Sequence, residues 1–190
     1  VVIVPIYKGE ESKPVIDAKA QSLANELKQS GVRVLYDDSD HARPGWKFAE
    51  YELKGVPVRI AMGLRDIEQN NVEIARRDTK EKKVVSMDGL KDYVVNLLDD
   101  IQQQLFHRAK TFRDEGMTRA DRWEEDFCAA LDKGGFVSAH WDGTPETEEK
   151  IKELTKATIR CIPLNNPQED GVCVLTGNPS KQRVLFARAY

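Results

Sequence analysis

Residues 43–60 read RPGWKFAEYELKGVPVRI. Lys47–Lys54 has the make-up of a short helix, and Gly55 stands where a C-terminal cap belongs. Pro57 then turns the chain, and Val58–Met62 is a mostly apolar run that reads as a buried strand. A short helix leading straight into a strand is one step of an alternation of strands and helices.

The flanking sequence continues the alternation. Val1–Ile6 is a short apolar run with the character of a buried strand. Ala20, Leu23, Ala24 and Leu27 recur at helical spacing within Asp17–Ser30, and Gly31 follows at the capping position. Val32–Tyr36 is a second strand, and the turn-rich DDSDHARPG leads into the helix of the opening stretch. Downstream, Val72–Arg77 and Lys83–Met87 form a hairpin across DTKE. Leu90, Val94, Leu97, Leu98, Ile101 and Leu105 then mark one stripe of a long amphipathic helix, continuing through the more polar QQQLFHRAKTFRDE. The order βαβαβ, hairpin, helix predicts an α/β domain over residues 1–100, with a mixed sheet and helices against it. Residues 101–117 are then a helical connector.

Residues 118–190 read as a small α+β domain. Trp123, Phe127 and Leu131 share a helix face that stops at KGG, and Pro145 opens a second helix to about Leu154. Phe136–Trp141, Ala157–Pro163, Val172–Leu175 and Arg183–Ala189 are strands. A domain of roughly 70 residues has a marginal core by size alone.

Composition narrows the function classes. The 190-residue chain is 40% hydrophobic and 32% charged with a formal net charge of −3. That is the range of a soluble globular protein, and it argues against indiscriminate nucleic-acid binding, which needs a broad basic field. No run approaches the ~20 apolar residues of a membrane span, and no leader is visible. Three scattered cysteines suit a reducing cytoplasm better than a disulfide framework. A strand that begins at residue 1 predicts a piece of a longer protein.

No catalytic constellation stands out. Gly171, Gly177, Ser180 and Lys181 lack phosphate-loop spacing. Cys128 and His140 make a conceivable nucleophile pair, but beside Phe127 and Trp141 both read more simply as structural residues. Asp37, Asp38 and Asp40 suit solvated turn positions better than a metal cluster. Binding is the better expectation. In the opening stretch Arg43, Lys47, Lys54 and Arg59 are spaced among Trp46, Phe48 and Tyr51, a local basic and aromatic site. Phe48 and Glu52 project from one helix face, and Arg59 emerges on the next strand. Guanine offers N1–H and N2–H₂ donors to a carboxylate, and O6 and N7 acceptors to an Arg fork. An unpaired base also stacks on an aromatic ring. The trio therefore fits a flipped-out guanine of single-stranded RNA. The same residues equally suit a plainer role, with Phe48 in the core and Glu52 in a surface ion pair with Lys54 or Arg59.

The stretch RPGWKFAEYELKGVPVRI followed by MGLRDIE resembles the anticodon-binding domain of prolyl-tRNA synthetases, as do ATIRCIP and the terminal LFARAY. The resemblance covers nearly the whole chain, in the form of the enzyme with an extra C-terminal domain. It implies a five-stranded mixed sheet with three helices. It also implies a class II ligase joining proline to tRNA with ATP and Mg²⁺, its catalytic domain upstream of Val1, acting as a cytoplasmic homodimer without membrane contact. Proline anticodons end in GG, and the resemblance places Phe48, Glu52 and Arg59 on residues that contact those guanines. A lysine of the hairpin falls near Lys80, with Glu81 at the ungapped position. The histidyl-, threonyl- and glycyl-tRNA synthetases share the fold but not the ELKGVP run. The alternative is a non-catalytic accessory module that binds RNA or protein.

Two further expectations follow from the resemblance. The family's terminal tyrosine, Tyr190 here, reaches back to support the active site. Deleting Tyr190 is expected to lower proline activation without altering tRNA affinity, and unchanged adenylate formation would count against the role. Many relatives also hold a structural zinc through four cysteines. Here WDGTPET puts Asp142 and Thr147 at two of those positions, and CVLTG keeps Cys173 but has Thr176 at the fourth, while Cys161 matches a non-ligand. Structural zinc prefers four Cys or His ligands. Alternation points His140 away from the site, so no metal is expected.

Overall fold

The structure is a computed structural model that describes residues 1–189. The chain divides into two compact units, Val1–His107 and Arg108–Tyr190. Among the described residues no helix is long and apolar enough to cross a membrane.

The first unit contains β1 (Val2–Ile6), α1 (Lys13–Gln29), β2 (Leu35–Tyr36), α2 (Pro44–Leu53), β3 (Val58–Gly63), α3 (Leu64–Glu68), β4 (Asn71–Arg76), β5 (Lys82–Ser86) and, of α4 (Leu90–Glu115), the part up to His107. The sheet order is β2-β1-β3-β4-β5. β1 runs parallel to β2 and β3, while β3–β4 and β4–β5 are antiparallel, giving the mixed sheet that the alternation of elements implied, with the five strands that the resemblance implied.

Strand alternation assigns each face. Ile3, Val58, Ile60 and Met62 face one side and pack against Leu23 and Leu27 of α1 and Val94 and Ile101 of α4. Val2 and Val4 face the other side and pack with Tyr51, Phe48 and Val56 around α2. Each such fully buried aliphatic stabilises the fold by about 1.5–3 kcal/mol. Arg59, one residue out of phase with Val58 and Ile60, is thereby sent to the α2 side.

Three local expectations are corrected. The Val32–Tyr36 strand shrinks to Leu35–Tyr36, because Gly31 (φ 80°) and the Val32 amide, 3.1 Å from the Leu27 carbonyl, complete the cap of α1. The five-residue α3 is an added helix, held by Asp66, whose carboxylate accepts from the Gly63 amide at 2.8 Å. Helix α1 starts at Lys13 rather than Asp17, with Pro14 in the first turn, where its missing N–H costs nothing.

The second unit contains β6 (Met117–Arg119), a π-helical turn (Trp123–Cys128) continuing into α5 (Ala129–Lys133), β7 (Phe136–His140), α6 (Pro145–Thr155), β8 (Ala157–Cys161), β9 (Gly171–Val172), β10 (Pro179–Ser180) and β11 (Arg183–Arg188). Its four-stranded sheet has the order β6-β7-β11-β8, and β9 pairs with β10. Phe127 and Phe186 are fully buried and meet edge to face at 5.1 Å, with Trp123 stacked on Phe127. The strand expected at Val172–Leu175 stops at Val172. Beyond it the Cys173 amide bonds to Asn178 and the Val174 amide to His140, which fold the chain into a turn.

Candidate nucleic-acid interface

The opening stretch folds into one side of a cleft. Pro44 begins α2 in its first turn, and Gly55, at φ 80°, ends it in a backbone conformation that a side chain would strain. The Val56 amide closes the turn onto the Tyr51 carbonyl, and β3 starts two residues later. Phe48, Glu52 and Arg59 thus line a cleft of about 270 Å³, completed by Arg77, Lys80 and Lys82 of the β4–β5 hairpin. Ala75 is the β4 residue opposite Arg59, and its small side chain leaves the cleft open.

Arg59 is only 8% exposed. Its guanidinium carbon lies 3.5 Å from the centroid of Phe48. One end of the fork, Nη2, donates to Glu73 at 3.2 Å. The other, Nη1, is buried without a hydrogen-bond partner. A buried donor left in that state costs about 1–3 kcal/mol. The expectation of an open ring is corrected accordingly: one face of Phe48 is already covered by the guanidinium, so its first role is to hold Arg59 flat.

Glu52 is exposed and bonded to Lys80, which adopts a left-handed conformation (φ 64°) in the hairpin turn. The hydrogen bond from Lys80 is the main cause that lowers the Glu52 carboxyl below its ordinary pKa, helped by Arg77 and Arg59. Glu52 therefore stays an anionic acceptor at neutral pH. The surface ion pairs imagined for it, to Lys54 or Arg59, do not form. Lys54 instead pairs with Glu50 at 2.9 Å.

Lys47 is a second correction. It is not a surface cation but is 3% exposed, donating to the Asp37 carbonyl at 3.0 Å and to the Asp37 carboxylate at 3.1 Å. Tyr51 and Ser39 donate to the same carboxylate. Asp37 is therefore no solvated turn-former; it ties the loop before α2 to the inner face of that helix.

The other sequence candidates separate. His140 is buried with Nδ1 3.1 Å from Ser180 and its other nitrogen 3.7 Å from Glu169. Cys128 sits half-buried at the edge of the core, and burial raises its thiol pKa, the reverse of an activated nucleophile. Asp142, Thr147 and Thr176, three of the positions compared with zinc ligands, do come together. One oxygen of Asp142 accepts from Thr147 at 3.0 Å, Thr176 at 2.8 Å and Asn178 at 3.2 Å, and the other accepts from Thr144 at 2.8 Å. Among the described residues no cluster of three or more His, Cys, Asp or Glu is placed to hold a metal ion. Tyr190 lies outside the described residues. The sequence reading missed Arg77 and Lys82 in the cleft; the basic hairpin RRDTKEKK (76–83) was the available signal.

Residues 1–97 match the family described as "Anticodon binding domain", and residues 124–190 match "Prolyl-tRNA synthetase, C-terminal". Among curated proteins, the chain is 58% identical over 190 residues to a proline--tRNA ligase of Porphyromonas gingivalis, covering all of this chain and 38% of that protein. It is 54% identical over 193 residues to a proline--tRNA ligase of Phocaeicola vulgatus and 55% identical over 194 residues to one of Bacteroides fragilis, in each case covering 39% of the relative. The chain spans under two fifths of the length of the curated relatives it matches.

Proposed function

The chain belongs to the anticodon-binding domain family, continued by the C-terminal domain of prolyl-tRNA synthetases, and on that premise we propose that it reads the two guanines ending the proline anticodon. The observation that carries this reading is Arg59, packed on Phe48 in the cleft with one buried donor unpartnered. Guanine O6 and N7 are the acceptors an Arg fork takes, and pairing would remove the cost of the orphaned donor. Glu52, held anionic by Lys80, accepts from guanine N1–H and N2–H₂. Adenine presents an acceptor at N1 and would face the carboxylate unfavourably. Phe48 keeps the guanidinium in plane, and the base stacks on what remains open of this pair.

The full-length protein is proposed to join proline to its tRNA using ATP and Mg²⁺, as a cytoplasmic homodimer. In this reading the catalytic chemistry belongs to the part of the relatives' length that this chain does not span. Binding of proline tRNA to the full-length protein, beside a control transcript carrying AA for GG, tests the reading. A preference of at least tenfold is expected; equal affinity would refute it.

The second unit is proposed to hold its shape without zinc. The threonine hydroxyls at two of the four compared positions are poor zinc ligands and donate instead to Asp142, and one carboxylate with one thiolate leaves a four-ligand site half empty. Elemental analysis of the untagged chain should find well under one zinc per molecule, and chelator should leave the melting temperature unchanged. Stoichiometric metal near Cys173 would overturn this.

A further inference from the structure

The cleft is lined by more cations than base reading needs, and they are not equivalent. Arg76 is held by Asp78 at 2.8 Å and Asp100 at 2.9 Å, and the Asp78 bond is the main cause raising its pKa. Lys80 is held by Glu52, and Arg59 by Glu73. Among the described residues Arg77 and Lys82 form no ion pair with a carboxylate. Both are exposed at the cleft on the β4–β5 hairpin.

Arg77 is nevertheless positioned. Its backbone amide bonds to the Pro57 carbonyl at 2.9 Å, and its Nε donates to the Glu52 carbonyl at 2.8 Å in the last turn of α2. That contact gives a helix-terminal carbonyl, which already accepts from the Gly55 amide at 3.2 Å, a second donor, and it places a cation at the negative end of the helix dipole. It uses one N–H of the guanidinium and fixes the plane, while among the described residues the two Nη groups take no partner. An anchored guanidinium with an uncommitted edge is suited to phosphate oxygens, which it meets with two parallel N–H···O bonds.

We propose that Arg77, with Lys82 beside it, holds a backbone phosphate of the RNA strand whose guanine enters the cleft. The inference rests on the anticodon reading above. Phosphate contacts fix register and carry no sequence information. Arg77 therefore acts as a positioning residue for any RNA strand in the cleft, and Arg59 and Glu52 as its readers. A merely structural Arg77 would cap α2 and leave RNA binding independent of its charge.

The test is the salt dependence of tRNA affinity in the full-length protein, measured for proline tRNA and for the transcript with AA in place of GG. Arg77→Gln should weaken both by the same factor, on the order of threefold or more at low salt, and lower the slope of log K against log salt by about 0.7, the loss of one single-strand phosphate contact. The ratio between the two transcripts should stay at the wild-type value. An unchanged slope would overturn the proposal, and so would a collapsed ratio, which would make Arg77 a base reader. Lys82→Gln, on the exposed strand β5, should also lower the slope. If Arg77→Gln proves unfolded, an unchanged slope in Lys82→Gln overturns the proposal by itself. If the wild-type protein does not distinguish the transcripts while the slopes fall as stated, the guanine reading fails and the phosphate contact stands.

Discussion

Replacing Lys47 by alanine is expected to destabilise the first unit by about 3–5 kcal/mol, the cost of removing one partner of a buried charge pair. The ammonium is 3% exposed and serves the Asp37 carbonyl, the Asp37 carboxylate and the Ser39 carbonyl together. Without it two carbonyls and a carboxylate lose a donor in a site that water reaches poorly. Burial by itself would raise the Asp37 carboxyl, but hydrogen bonds from Ser39, Tyr51 and Lys47 outweigh it and bring the pKa down to about 2. A carboxyl depressed in the folded state stabilises fully above its unfolded value of about 3.9 and loses that contribution as pH falls toward the folded one. The urea midpoint of the first unit should therefore fall between about pH 4 and pH 2. Lys47→Ala should lower the midpoint at pH 7 and flatten the acid dependence. A midpoint within experimental error of the wild type would show that the pair contributes nothing.

Replacing Arg59 by alanine is expected to cost about 1–3 kcal/mol in discrimination, so that the preference for GG over AA in aminoacylation by the full-length protein drops by roughly 5- to 150-fold. The specificity constant for proline tRNA should fall toward that of the AA transcript, because adenine shares N7 but presents an N6–H₂ donor in place of the O6 acceptor proposed for Arg59. The substitution also uncovers Phe48 and leaves Glu73 without its 3.2 Å partner, so melting temperature must be measured alongside. A folded Arg59→Ala enzyme that still discriminates like the wild type would remove Arg59 from the reading.

Much of this was legible in the residues. The alternation of short apolar runs with amphipathic helices gave the mixed sheet, because Val2, Ile60 and Leu27 have environments set by period and burial alone. The convergence of Phe48, Glu52 and Arg59 followed from i, i+4 spacing on α2 and the tight turn at Gly55. What escaped depended on partners distant in sequence. Lys47 reads as a surface cation until Asp37, ten residues earlier, is folded against it. The covered face of Phe48 needed the height of Arg59 above the ring, a tertiary quantity. The burial of Arg59 itself was available: between Val58 and Ile60, both core residues, alternation sends it to the α2 face. The split among the cleft cations was not available, since it depends on Asp78, Asp100 and Glu73 reaching Arg76 and Arg59 but not Arg77.

The central claim is that the cleft takes the anticodon guanines by their edges, and chemical probing of proline tRNA bound to the full-length protein measures that directly. Kethoxal reports guanine N1 and N2, and dimethyl sulfate reports N7. The anticodon guanine held by Arg59 and Glu52 should lose reactivity to both reagents in the wild-type complex, and in the Arg59→Ala complex its reactivity at N7 should return while N1 and N2 remain shielded by Glu52. Guanines that stay fully reactive in a complex shown to be saturated would contradict the account.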